Sequence, residues 1–162
     1  MSDDRATRIL YGLSTGVDQP SNDVVWRIEA LLGHEDEIFV DVRHVRGDDT
    51  VGGIGVVITA TRVIRAQWST PRQRVARQST VTVETWSRRA LVMASIDSSE
   101  VLGVNTDADW ARDWGAEWPA DSVLTLRYEG QLEALTLPLL GGTSHRKNFR
   151  ELVPYLLADL NR

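Results

Sequence analysis

The runs "IGVVITA" (residues 54–60) and "RVIRAQW" (62–68) decide the fold. Each is rich in β-branched and apolar residues and has strand length. Only Thr61 separates them, so together they read as a tight antiparallel hairpin. Side chains alternate along a strand, which places Ile64, Ala66 and Trp68 on one face with Arg62. Upstream, "IFVDVRHV" (38–45) sets Ile38, Val40 and Val42 on one face and Asp41 and Arg43 on the other, and "GDDTVGG" (47–53) has the chemistry of a turn. Downstream, "STPRQRVARQS" (69–79) reads as a polar loop, because Pro71 cannot donate to a ladder. Further strands are expected at 80–86, 90–96, 100–104, 122–129 and 132–139, the last two joined by a Gly130–Gln131 turn.

Helices are expected at both ends of this series. Val24, Val25, Ile28, Leu31 and Leu32 repeat at helical spacing over 22–33, with Asn22 or Asp23 as cap and Gly33 as stop. Residues 1–20 read as a flexible N-terminus. Near the end, Phe149, Leu152, Val153, Leu156, Leu157 and Leu160 make one apolar stripe, predicting a helix over 144–161. Pro154 falls inside it and predicts a kink or a restart there.

The expected class is thus α+β, mainly β, in a single domain spanning 1–162: about seven antiparallel strands, a C-terminal amphipathic helix and an additional N-terminal helix. The chain has no cysteine, which excludes disulfides, thiolate catalysis and Cys-based metal sites. No segment approaches the roughly 20 apolar residues of a membrane span, and the opening residues lack a signal-peptide run. A cytoplasmic protein is expected.

The net charge of −5 conceals two blocks. Residues 62–89 carry seven arginines and one acid, whereas residues 97–121 carry seven acids and one arginine. Basic residues are arginine throughout except for Lys147.

The run "GVVITATRVIRAQW", with Thr59 and Arg62 between its apolar halves, resembles the second and third strands of bacterial pleckstrin-homology-like (PH-like) domains. "EVLGV", the "LTLRYEGQLEALTL" hairpin and the closing leucine helix follow in the order that family uses, so the resemblance covers roughly residues 36–160. It implies a bent, seven-stranded antiparallel barrel capped by the C-terminal helix. It implies no particular ligand, since such a fold carries many roles. The N-terminal helix and an insert at 105–121 depart from the pattern.

That insert contains "DADWARDWGAEWPAD" (107–121), in which Trp110, Trp114 and Trp118 recur every four residues among five carboxylates. Asn105, Thr106 and Asp107 can cap a helix, acids favour its first turn and Pro119 stops it, so a short helix over about 108–117 is predicted. Each indole can bury on the order of 200 Å². The rings either fold back as a lid over the barrel or form a docking surface with Asp109, Asp113 and Glu117 around them. A second candidate surface is a rim of Arg72, Arg74, Arg77, Arg88 and Arg89, able to bind an anionic partner such as a lipid headgroup, or to neutralise the acidic block. Overall acidity and the scarcity of stacking aromatics argue against nucleic acid.

His34, His44 and His145 stand near different elements, which does not suit a triad or a facial metal site. His34, Glu35, Asp36, Glu37 and Asp41 could ligate a cation but read as a solvated turn. "GGTSHRKNF" (141–149) opens a helix whose N–H groups favour anions, without the Lys-Ser/Thr spacing of a nucleotide loop. No cofactor, metal or catalytic residue is assigned. The expected function is non-enzymatic: binding or scaffolding toward a protein partner or a second copy. Alternatives are membrane-surface recruitment through the arginine rim and an acidic, immunity-type inhibitor of a basic enzyme.

Overall fold

A computed structural model describes residues 3–15, 18–71, 79–98, 122–139 and 146–161. Its elements are α1 (Asp3–Gly12), α2 (Asn22–Leu32), β1 (Phe39–Arg46), β2 (Thr50–Ile58), β3 (Arg62–Pro71), β4 (Thr80–Ser87), β5 (Leu91–Ser98), β6 (Ser122–Tyr128), β7 (Leu135–Leu137) and α3 (Arg146–Ala158). A 3-10 turn, Arg88–Ala90, links β4 to β5, and another, Asp159–Asn161, ends α3. The class is α+β, mainly β. The strand expected at 100–104 and the helix expected at 108–117 lie outside the described residues.

The strands form two antiparallel sheets, one ordered β1-β2-β3-β4 and one ordered β5-β6-β7. No ladder among the described residues joins β4 to β5 or β7 to β1, so the expected barrel is an open pair of sheets instead. Two local features keep it open. The 3-10 turn at Arg88–Ala90 takes the chain out of the first sheet, and β7 is only three residues long.

The four-stranded sheet is apolar on both faces, which explains the unbroken run Val56-Val57-Ile58. Val56, Ile58 and Val63 enter one core with Phe39, Leu91, Leu124, Leu126, Tyr128 and Leu137, and α3 closes it with Leu152, Val153 and Leu156. Val57, Ile64, Ala66 and Trp68 enter a second core with Ile9, Leu13, Val24, Val25, Ile28 and Leu32 from α1 and α2. A strand buried on both sides loses its alternation of polar and apolar residues.

Residues 3–12 form a helix where a flexible segment was expected. Ala6, Ile9, Leu10 and Leu13 fall at i, i+3, i+4 and i+7 and pack into the second core, with Ile9 and Leu13 fully buried. Glycine permits the contact: a Cβ on Gly12 would lie 2.9 Å from Val40 Cγ1, and one on Gly55 would lie 2.7 Å from Leu13 Cδ2. Arg5 then fastens α1 to the end of α2. Its Nη2 donates to the Gly33 carbonyl at 3.0 Å and stands 3.7 Å from Glu29 Oε1, a cation at the negative end of a helix.

Other boundaries shift for similar reasons. Gly52 and Gly53, expected in a turn, belong to β2, where Trp68 lies against them and leaves no room for a side chain. Ser21 rather than Asn22 or Asp23 holds the cap position of α2, and Gly33, at φ 63°, ends the helix as expected. Pro154 sits within a single helix, exposed on its outer side, and Leu160 lies outside the buried stripe at 42% exposure.

Candidate functional site

Trp110, Trp114, Trp118, Asp109, Asp113 and Glu117 lie outside the described residues, as do Arg72, Arg74, Arg77 and His145. Of the arginine rim, Arg89 is exposed, but Arg88 points inward. Arg88 Nε donates to Asp159 Oδ2 at 2.8 Å, Nη1 donates to the carbonyls of Thr59 and Ala60, and Nη2 donates to the Tyr155 carbonyl. The anion that Arg88 binds is therefore internal. The residue ties the β2–β3 turn to the end of α3 and is not available to a rim. Tyr128 stands in the core between the two sheets, its hydroxyl without a hydrogen-bond partner among the described residues. Burial pushes that phenol up from its ordinary value, Asp159 adds to the rise, and Arg88 opposes it.

The acidic run after α2 is divided among several tasks. Glu35 accepts from the Thr59 and Thr61 hydroxyls, each at 2.6 Å, and from the Thr61 N–H at 3.1 Å, and it pairs with Arg62 Nε at 3.3 Å. The hydroxyl bonds from Thr59 and Thr61 hold its carboxyl below the usual carboxylate range, with Arg62 adding to the effect. Asp36 and Glu37 pair with Arg8. Asp41, 1% exposed, accepts from the N–H groups of Val42 and Leu139, anchoring the chain after β7 to β1. His34 is exposed, whereas His44 stands edge-on to Trp68 with Nε2 3.0 Å from the Leu13 carbonyl oxygen. Among the described residues no group of three or more His, Asp or Glu side chains is placed to hold a metal ion. No helix among them is long and apolar enough to cross a membrane.

The most distinctive concavity lies elsewhere. A cleft of about 300 Å³ runs between the 133–139 segment containing β7 and the adjoining face of the four-stranded sheet. Arg43, Ile54, Arg65 and Gln67 line the sheet side; Val123 of β6, Glu133 to Thr136, Pro138 and Leu139 line the other. In the ladder Arg43 pairs with Ile54 and Ile54 with Gln67, so these three share one face. Arg65 follows two residues from Gln67 on the same face. Among the described residues β7 pairs with β6 alone, and no strand lies on its other side.

Charge balance separates this cleft from a second concavity of about 440 Å³ between α1 and residues 37–40. There Arg8 Nε donates to Glu37 at 2.6 Å, and the two charges cancel. In the β7 cleft the Nε atoms of Arg43 and Arg65 are both buried and have no hydrogen-bond partner among the described residues. Arg65 stands 3.2 Å from Glu133 and 3.8 Å from Glu84, both exposed carboxylates, whereas Arg43 makes no ion pair among the described residues.

The sequence pattern missed Arg43 and Arg65. Asp41 and Arg43 share one face of β1, as the alternation places them, and that face, with Phe39, looks toward the second sheet. Comparison of the chain with protein-family models, with curated proteins and with solved structures finds no match in any of the three.

Proposed function

We propose that the chain is a non-enzymatic binding module of PH-like layout that recognises a protein partner or a second copy of itself. Support for the layout comes from the division of seven strands into sheets of four and three. Further support comes from the C-terminal helix seated in the core that the two sheets share. Thr59 and Arg62 occupy the β2–β3 turn, where they are tied to Glu35 and, through the Thr59 carbonyl, to Arg88.

One observation carries the binding reading. Among the described residues β7 has a strand partner on one side only, and its residues line a cleft already furnished with apolar and charged side chains. A strand with unpaired backbone groups on one side accepts another strand readily. Ile54, Leu135, Pro138 and Leu139 provide apolar walls for its side chains. The partner enters as an extended segment beside β7.

The test is selection of displayed random peptides on the full chain, counter-selected with Ile54→Trp, a variant that fills the cleft and whose folding is checked by urea unfolding. Light scattering at low and high salt runs alongside. Peptides retained by the parent and lost by the variant support the reading, as does a dimer that the variant abolishes. Absence of any enriched peptide, together with a monomer at both salt concentrations, overturns it.

A further inference from the structure

A guanidinium withdrawn from water with an unsatisfied N–H costs stability unless an anion meets it. Most arginines whose side chains are described have such an anion. Arg88 has Asp159, Arg62 has Glu35, Arg46 has Asp18 and Arg8 has Glu37. Arg43 has none among the described residues, although it is half-buried and its Nε is withheld from solvent. The nearest acid on its strand face, Asp41, is committed to the backbone N–H groups of Val42 and Leu139. Arg65 Nε, also buried, has no hydrogen bond among the described residues; it stands 3.8 Å from Glu84, and Nη2 stands 3.2 Å from Glu133, carboxylates whose side chains are 44% and 77% exposed. An ion pair so wet contributes little and is readily exchanged.

Both arginines line the same cleft on the same sheet face. Two strand spacings and one same-face step put their Cα atoms on the order of 12 Å apart, so long side chains from the two ends can close on one small anion. We infer that the β7 cleft is a carboxylate site, in which an Asp or Glu side chain of the incoming segment lies between Arg43 and Arg65. This rests on the binding reading above and gives it a partner chemistry.

Charge complementarity selects the carboxylate over a phosphate. Glu133 and Glu84 both pair with Arg65, and the Arg43 charge is left unmatched among the described residues, which suits a monoanion. Much of the remaining lining is apolar, from Ile54, Val123, Leu135, Pro138 and Leu139, and suits the hydrocarbon neighbours of an acidic side chain in a peptide. Planar guanidinium groups match a carboxylate in bidentate geometry. Gln67 adds an amide donor at the same wall.

The experiment follows the Nε–Hε resonances of Arg43 and Arg65 in the full chain during titration with acetate and, separately, inorganic phosphate. Exposed Arg89 serves as reference. The expected result is a saturable shift at Arg43 and Arg65 with acetate and only linear drift at Arg89. Arg43→Gln weakens acetate binding, read at Arg65, by about tenfold. Glu133→Gln removes the competing carboxylate from an exposed position and tightens acetate binding two- to threefold, roughly the worth of an exposed ion pair. That second variant keeps the test decisive should Arg43→Gln unfold. Resonances of Arg43 and Arg65 that merely track Arg89 overturn the site, and tighter binding of phosphate than acetate overturns the carboxylate assignment. If either occurs while Ile54→Trp still abolishes binding of selected peptides, strand docking stands and only its charge recognition falls.

Discussion

Arg88 and Asp159 meet across 71 residues of sequence, with Nε donating to Oδ2 at 2.8 Å and both side chains less than a tenth exposed. The guanidinium also donates to three backbone carbonyls on two other segments, so one side chain closes the β2–β3 turn against the end of α3. Removing one member of a buried pair leaves the other charged and unmatched. Asp159→Ala and Arg88→Ala are each expected to lower unfolding stability by about 3–5 kcal/mol, measured from urea midpoints. Exposed Arg89→Ala shifts the midpoint by no more than about 0.5 kcal/mol. Equal effects at positions 88 and 89 would deny Arg88 its internal role.

Glu35 links acidity to stability. Its carboxyl titrates below its ordinary value of 4.5 because the Thr59 and Thr61 hydroxyls, and then Arg62, favour the charged form. A folded value below the unfolded one means that the stabilisation is present above the unfolded value and lost as pH falls through the folded value. Glu35→Gln therefore costs on the order of 1 kcal/mol at neutral pH, and the gap between parent and variant narrows as the pH drops from 5 toward 3. Urea unfolding across that range checks the sign. A gap that widens in acid contradicts it.

Trp68 and Gly53 fit together with no space to spare. A Cβ on Gly53 would lie 2.5 Å from Trp68 Cζ2. Gly53→Ala is expected to destabilise by about 1–3 kcal/mol through overpacking. The paired change with Trp68→Leu recovers part of that loss, because the two positions couple.

Leu13 reports on whether α1 belongs to the core. It is fully buried against Gly55, so Leu13→Ala is expected to cost about 2–5 kcal/mol. Hydrogen exchange in the variant should speed up at Val57 and Ile64, which share its core. A loss confined to α1, with those amides unchanged, would make the helix an appendage.

Much of the fold was legible because hydrophobic period reports on burial directly. The hairpin of β2 and β3, the β6 strand, α2 and the stripe of α3 all follow from that signal. What escaped reading depends on which element faces which. Ala6, Ile9, Leu10 and Leu13 had helical spacing, but a short polar-looking segment gives no sign that a sheet waits beneath it. Gly52 and Gly53 look like turn residues until Trp68 is set against them, its backbone carbonyl over Gly52 and its ring over Gly53. Arg88 and Arg89 are neighbours with identical chemistry, and only the fold turns one inward toward Asp159. Arg43 and Arg65 followed the alternation of a half-buried strand, and nothing local announces that a second sheet approaches their side.

The doubly covered sheet raises a question of alignment. Ordinarily a strand slipped by one position would expose its greasy side to water, and that penalty holds it in place. β2 lacks this safeguard, since Val56, Val57 and Ile58 would meet apolar neighbours in either setting. The missing information resides in absent side chains. Only at Gly53 and Gly55 can the strand admit an indole and a leucine from outside, so hydrogen atoms in place of methyl groups serve as the notches that index the middle layer of the molecule.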